Sequence, residues 1–422
     1  MGLGLHLRAD LGQAAWKEGS VGPLSEIAAA GLDSAEAHGL RAFFSALPRG
    51  NKLHLRLHPA AEPVEFALLE GGTLECDAKT STLGPGYHQY AVQVIEAIGA
   101  RLGILWLGGL DEDADDTGYF ADRDFGRLQR EMSVLLAQLA PIVVERLATN
   151  PSGLMVNMPI SSIAGLPEGV ATPLGIFPGV LFQEAADAGF VTDEFARHFY
   201  PWWDEGLTAE TWRNFGLVDL WSEVFWRPPS NEFECATCER ALQSFAHARR
   251  LDSSLPMPDS EIAELRTLLA ADPSSAVVPA AGRIGYRRYS WKHEHFGWAV
   301  EVPGYFYERL EADGTQEVFW YGEREIWCTS FTLEPAKPVN LHDLRSDLKP
   351  DSLTVLGNDF VGCANITEKQ FEDGWHGCTM SCVFRAPGST AVITIIYAAS
   401  DREWAEQTFR RIGFDPKGAG QE

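Results

Sequence analysis

The chain has 422 residues, 45% hydrophobic and 22% charged, and its 59 Asp+Glu against 34 Lys+Arg leave a net charge of −25. That balance argues against nucleic acid as a partner, because each phosphate contact needs a basic group. It suits a basic protein partner, whose approach a negative surface steers. No segment carries a phosphate loop, a nucleophile elbow, a zinc-protease helix or a dinucleotide fingerprint, and no cofactor is expected.

The first segment, residues 1–150, alternates strand and helix signals. Leu53 to His58 runs apolar then polar, the period of a half-buried strand. Val64 to Leu69 and Thr73 to Cys76 flank Gly71-Gly72 and predict a hairpin. After Gly84-Pro85-Gly86 a helix is expected from Tyr87 to Ala100, with Ala91, Val94, Ile95 and Ile98 on its apolar side. Ile104 to Leu107 reads as a buried strand, and Asp122 to Leu147 as a long helix that Pro141 kinks or splits. A mixed or antiparallel sheet covered by helices follows. The longest apolar run, Val134 to Val144, is shorter than the roughly 20 residues of a membrane span, so no membrane partner is expected.

Residues 151–275 read as mainly helical, either a separate segment or an extension of the first domain. Thr208 to Thr211 starts a helix whose apolar stripe takes in Trp212, Phe215, Leu220, Trp221, Val224 and Phe225. Asn231 to Glu234 has the form of a capping box, and a further helix is expected after Asp259. Acidity is densest here: residues 151–280 hold 18 acids and 7 bases, and no lysine occurs between Lys79 and Lys292. A linker is expected at 272–282. From 280 to 415 strands dominate: Ile284–Trp291, Gly297–Pro303, Tyr305–Leu310, Glu317–Tyr321 and Glu325–Phe331 as a meander, with a turn at Ala312–Thr315. Strands recur near Asp359–Ile366, His376–Arg385 and Ala391–Tyr397, and a helix closes from Asp401 to Arg411. The fold class is α+β: an N-terminal mixed sheet with helices, a helical middle segment and a C-terminal antiparallel-sheet α+β domain.

Five places invite a chemical reading. Cys235-Ala-Thr-Cys238 at a helix start places two sulfurs at i, i+3, a redox or metal spacing. No second ligand pair follows, since Cys378 and Cys382 on a strand lie roughly 13 Å apart, and two small residues packed under a helix account for the motif. His293-Glu-His295 puts two imidazoles on one strand face, as weak zinc candidates or as edge-strand residues facing solvent. Asp111, Asp113 and Asp115 occupy loop positions of a calcium site, but Asp116 stands where glycine is required and Asp122 where a glutamate is. Ser81 or Thr82 with His88, beside the acids of the 111–116 loop such as Asp113, makes a nucleophile–base pair or else a helix cap after a tight turn. Trp202 and Trp203, next to Asp204 and Glu205, stand before the helix at 208 and are expected to be exposed anchors for a cationic partner, with Trp212 and Trp221 inside.

Seven cysteines are sparse for this length and suit reduced thiols, and the first residues lack the pattern of a secretory signal. The resulting expectation is a cytoplasmic protein of bacterial type that binds a basic protein, in the manner of an immunity or antitoxin-like inhibitor. A hydrolase or transferase built around His88 is the alternative.

Overall fold

The computed structural model describes residues 2–12, 22–108, 115–149, 154–156, 163–164, 166–272, 278–279, 283–311, 315–332, 339–344, 347–371 and 374–415. The chain forms two compact units, the first comprising Met1–Pro159, Leu166–Val224 and Cys235–Ile262, the second Ile160–Gly165, Phe225–Glu234 and Ala263–Glu422. The class is α+β, as the sequence implies. The linker expected at 272–282 and the turn at Ala312–Thr315 fall mostly outside the described residues.

The first unit opens with β1 (Gly4–Asp10), α1 (Gly22–Ala37), β2 (Ser45–Arg49), β3 (Lys52–Arg56), β4 (Val64–Leu68), β5 (Thr73–Lys79), α2 (Pro85–Leu102) and β6 (Leu107–Gly108). These strands make one sheet in the order β2-β3-β4-β5-β1-β6, and every pairing in it is antiparallel. Register lines up Leu53, Phe66, Cys76 and Leu7 across four strands, and all four side chains are buried. Alternation therefore puts one apolar row under α2, whose Ala91, Val94, Ile95 and Ile98 belong to the same core. The run Ile104–Leu107 does not form the expected buried strand. Only Leu107–Gly108 pairs, at the sheet edge, and Leu105 and Leu107 are exposed.

A short α3 (Tyr119–Asp122) precedes α4 (Phe125–Thr149), which runs through Pro141 without being split. By length and composition α4 is apolar enough to cross a membrane. It is amphipathic, however: Leu128, Met132, Leu136, Ala140 and Val143 enter the core, while Arg127, Arg130, Glu145 and Arg146 lie outside. Next come β7 (Leu154–Met155) and, in the second unit, β8 (Ile163–Ala164); β9 (Val170–Thr172) and β10 (Gly175–Phe177) then join β7 in a small sheet whose β7–β9 pair is parallel.

The helices α5 (Gly179–Ala188), α6 (Asp193–Phe199) and α7 (Ala209–Val218) follow, then α8 (Glu232–Leu251) and α9 (Asp259–Ala270). Thr208 caps α7 by accepting from Thr211 N. The apolar stripe expected to continue to Phe225 breaks at Asp219–Glu223, a π turn. Trp212 is buried, as expected, but Trp221 is only half-buried.

In the second unit β11 (Ser290–His295) and β12 (Trp298–Pro303) pair in a sheet ordered β20-β12-β11-β8, where β20 is Gly413–Phe414. A seven-stranded antiparallel sheet holds β13 (Tyr307–Leu310), β14 (Gln316–Tyr321), β15 (Arg324–Thr332), β16 (Leu353–Leu356), β17 (Val361–Gln370), β18 (His376–Ala386) and β19 (Ser389–Tyr397). Its order is β13-β14-β15-β19-β18-β17-β16. The expected meander is thus divided between two sheets. The helix α10 (Arg402–Arg410) closes over the core through Ala405 and Phe409, beside Met380, Phe384, Ile393 and Ile395.

Candidate functional site

The first turn of α2 turns His88 into the core, where its ring is fully buried. Nδ1 lies 2.7 Å from Thr80 Oγ1, and Nε2 lies 3.2 Å from Asp115 Oδ2 and 3.4 Å from Thr117 Oγ1. Asp115 Oδ1 accepts from the amide and hydroxyl of Thr117, both at 2.8 Å, and Oδ2 accepts from Phe120 N at 2.7 Å. Burial pushes the Asp115 carboxyl up, but His88 and the two amides outweigh it and hold it down to about 2.

Hydroxyl, imidazole and carboxylate stand in the order of a nucleophile, its base and the group that orients the base. The members differ from those expected. Thr80 takes the hydroxyl position, while Ser81 Oγ accepts from Leu3 N at 3.2 Å. Asp115 supplies the carboxylate, and Asp113 lies outside the described residues. Thr80, His88, Asp115 and Thr117 are each no more than 5% exposed. In this conformation the network is a tie between the end of β5, the start of α2 and the turn before α3. The calcium reading loses its described acids to the same role, since Asp115 is engaged as above and Asp116 Oδ2 accepts from Gly4 N at 2.8 Å. Asp111 also lies outside the described residues.

Trp202 and Trp203 are not exposed anchors: both are buried. Trp202 packs on the Gly84-Pro85-Gly86 turn. Its amide donates to Leu83 O at 2.9 Å, its carbonyl accepts from Gly86 N at 3.0 Å, and its indole donates to Gly206 O at 2.8 Å. A Cβ at Gly86 would lie 2.0 Å from the indole, so the glycine that reads as turn chemistry is also the seat of a tryptophan. Trp203 stacks on Tyr200, centroids 6.0 Å apart. The neighbouring acids are tied within the chain: Asp204 accepts from Arg197 at 2.7 Å and Glu205 from Gln89 at 3.2 Å.

Cys235 is half-buried and Cys238 buried, and neither is in a disulfide. His293 pairs with Val300 of β12, while β8 covers β11 only at Ser290 and Trp291. Its side chain does not face solvent freely: it is half-buried, with its ring 4.5 Å from that of Phe319, and burial lowers its pKa against the pull of Glu308. The side chain of His295 lies outside the described residues. Among the described residues no three His, Cys, Asp or Glu side chains gather as a metal site.

Sequence reasoning missed a cleft in the second unit, of about 600 Å³, lined by Phe225, Phe233, Tyr307, Glu308 and Trp320 with Arg227 and Glu234. Trp226, at φ 58°, is a bulky residue in left-handed backbone. It is fully buried, with the Arg288 guanidinium 3.7 Å over its ring, while its neighbours Phe225 and Arg227 line the cleft. The Arg227 guanidinium stacks 3.6 Å over Tyr307 and 4.6 Å over Phe225, and Glu234 clasps it with two hydrogen bonds of 2.6 and 2.9 Å. Burial raises the Glu234 pKa, but Arg227 and Ser230 outweigh it and the net shift is downward. Asn231 caps α8 by accepting from Glu234 N at 3.0 Å. The Glu234 carboxylate reaches back one residue further than a capping box, to Ser230 N at 2.9 Å. Phe233 is 66% exposed. Glu308 is exposed and makes no ion pair among the described residues. The spacing of Phe225, Phe233, Tyr307 and Trp320 carries no local signal, because the last two come from neighbouring strands 74 residues and more beyond Phe233.

A scan of protein-family models gives no match to this chain, and a search of curated proteins finds no significant relative.

Proposed function

We propose that this chain is a cytoplasmic binding protein for a basic protein, acting as an immunity or antitoxin-like inhibitor. The observation that carries the reading is the cleft of the second unit. Its inner end already holds a guanidinium, that of Arg227, between two aromatic faces and a carboxylate. Toward solvent the lining continues with Phe233 and with Trp320, over whose ring the Arg309 guanidinium stands at 5.4 Å, and with Glu308. Aromatic rings that already take arginines of this chain suit a lysine or arginine side chain of a partner. The net charge of −25 supports long-range attraction to such a partner, and none of the seven cysteines is in a disulfide. The alternative, a hydrolase or transferase at His88, draws on the Thr80–His88–Asp115 contacts, but burial of all three leaves no room for a substrate in this conformation.

The test is a pull-down from source-cell lysate at low and moderate salt, with wild type and with Glu308→Lys and Trp320→Ala. The reading expects one basic protein retained at stoichiometric yield by wild type, inhibited by it in a reconstituted assay, and weakened at least tenfold by either substitution. A partner held equally by all three proteins, or no stoichiometric partner at low salt, overturns it.

A further inference from the structure

The first unit holds a second concavity, of about 640 Å³, between β10, α5, α6 and α7. Its volume lies in the range of small-molecule sites, roughly 300–1,000 Å³. The wall is apolar, from Leu174, Ile176, Phe177, Leu181, Phe195 and Leu217. Two arginines also line it, Arg197 and Arg213. Arg197 is neutralised, at 2.7 Å from Asp204 and 3.3 Å from Glu210. Arg213 has no carboxylate partner among the described residues. Its Nε and Nη2 donate to Asn214 Oδ1, at 3.3 and 3.1 Å. Asn214 is itself buried, and its Nδ2 donates to Pro201 O at 3.1 Å, which fixes the amide with its oxygen toward the guanidinium. The result is a half-buried arginine held in place by a neutral group, with Nη1 left without an acceptor among the described residues.

We propose that this pocket binds a small monocarboxylic acid with an apolar body, its carboxylate on Arg213 and its hydrocarbon or aromatic part against the Leu174–Phe177 and Leu217 wall. A planar guanidinium recognises a carboxylate by charge-assisted hydrogen bonds. A dianion such as a phosphate ester is disfavoured, because Glu184 and Glu194 stand exposed at the mouth and repel a second negative charge. The proposal is independent of the cleft in the second unit.

Calorimetric titration of the whole chain with decanoate and 4-phenylbutyrate tests it, with decanamide and decyl phosphate as probes of charge. Saturable one-to-one binding of a carboxylate is expected, at least tenfold tighter than the amide or the phosphate. Arg213→Gln should weaken it tenfold or more with the thermal melt of the free protein retained. Leu181→Trp, which fills the cavity, should abolish binding while leaving Arg213 in place. No saturable carboxylate binding, equal binding of decanamide, or full affinity in Arg213→Gln each overturns the proposal.

Discussion

His88 Nε2 lies 3.2 Å from Asp115 Oδ2, and neither side chain reaches solvent beyond 5%. The pair joins the start of α2 to the turn that leads into α3, so its charge state bears on the stability of the first unit.

The Asp115 carboxyl is depressed to about 2 from its ordinary 3.8. A depressed carboxyl contributes its full stability above about pH 4 and loses it as the pH falls through the folded value, an effect of about 2 kcal/mol. Urea unfolding at pH 7, 4 and 2.5 should show this loss in the lower interval. Asp115→Asn should cost about 1–3 kcal/mol at pH 7, because Thr117, Phe120 and His88 lose a charged acceptor. It should also flatten the pH dependence between 4 and 2.

A second acid-sensitive point is His58, which is buried between Phe43 and Phe215 with ring centroids 4.9 and 4.6 Å away. Its Nδ1 accepts from Ala60 N at 3.2 Å, and Nε2 has no hydrogen-bond partner among the described residues. Burial first, then the charge of Arg240, drive its pKa well below 6.5. The unfolded chain therefore binds a proton below about pH 6.5 that the folded chain refuses. Stability should fall by about 1.4 kcal/mol per pH unit from there until the folded pKa is reached. His58→Phe removes the titrating group, and unfolding curves between pH 7 and 5 should show a smaller slope by that amount.

Gly86 marks where tryptophan and turn meet. A Cβ there would lie 2.0 Å from Trp202 Cδ1 and 2.6 Å from the Asp204 carbonyl oxygen, and the second of these is backbone that cannot rotate away. Gly86→Ala should destabilise the first unit by about 1–3 kcal/mol through overpacking. Its tryptophan emission should shift to the red as Trp202 gains contact with water. Unchanged emission and an unchanged unfolding midpoint would remove Gly86 as the seat of Trp202.

Much of the architecture is legible where the signal is local. The alternation at Leu53 and Leu55, the Gly71-Gly72 hairpin, the α2 stripe and the strands β12 to β15 and β17 to β19 follow from side-chain period and turn residues, whereas the short β16 and β20 do not. Leu5, Leu7 and Ala9 alternate in the same way and form β1. The candidate sites were less legible because they depend on contacts between distant segments. Trp202 looks like a loop residue until Gly86, 116 positions away, is seen beneath it. The hydroxyl facing His88 belongs to Thr80 rather than Ser81 because a one-residue change at a strand end reverses the side to which a side chain points. The stripe from Trp212 to Phe225 has helical period throughout, yet the helix widens at Asp219. Nothing in the spacing announces that Asp219 has a buried arginine to meet.

That meeting makes the sharpest prediction. Arg240 donates through Nε and Nη2 to the two oxygens of Asp219, at 2.9 and 2.7 Å, and both side chains are buried. Burial raises the Asp219 pKa against the pull of Arg240, the mark of a pair whose desolvation offsets much of its attraction. Removing one partner leaves the other charged and unmatched in the core. Asp219→Ala alone should therefore cost about 3–5 kcal/mol. Replacing both, as Asp219→Leu with Arg240→Met, should recover most of that loss, since an apolar pair of similar volume avoids the desolvation. Urea unfolding of the two single variants and the double variant forms a thermodynamic cycle, and the coupling between the sites should be of the size of the single-variant loss. If the double variant is as unstable as the sum of the singles, the two groups do not act as a pair and the buried charge of Arg240 must be met in some other way.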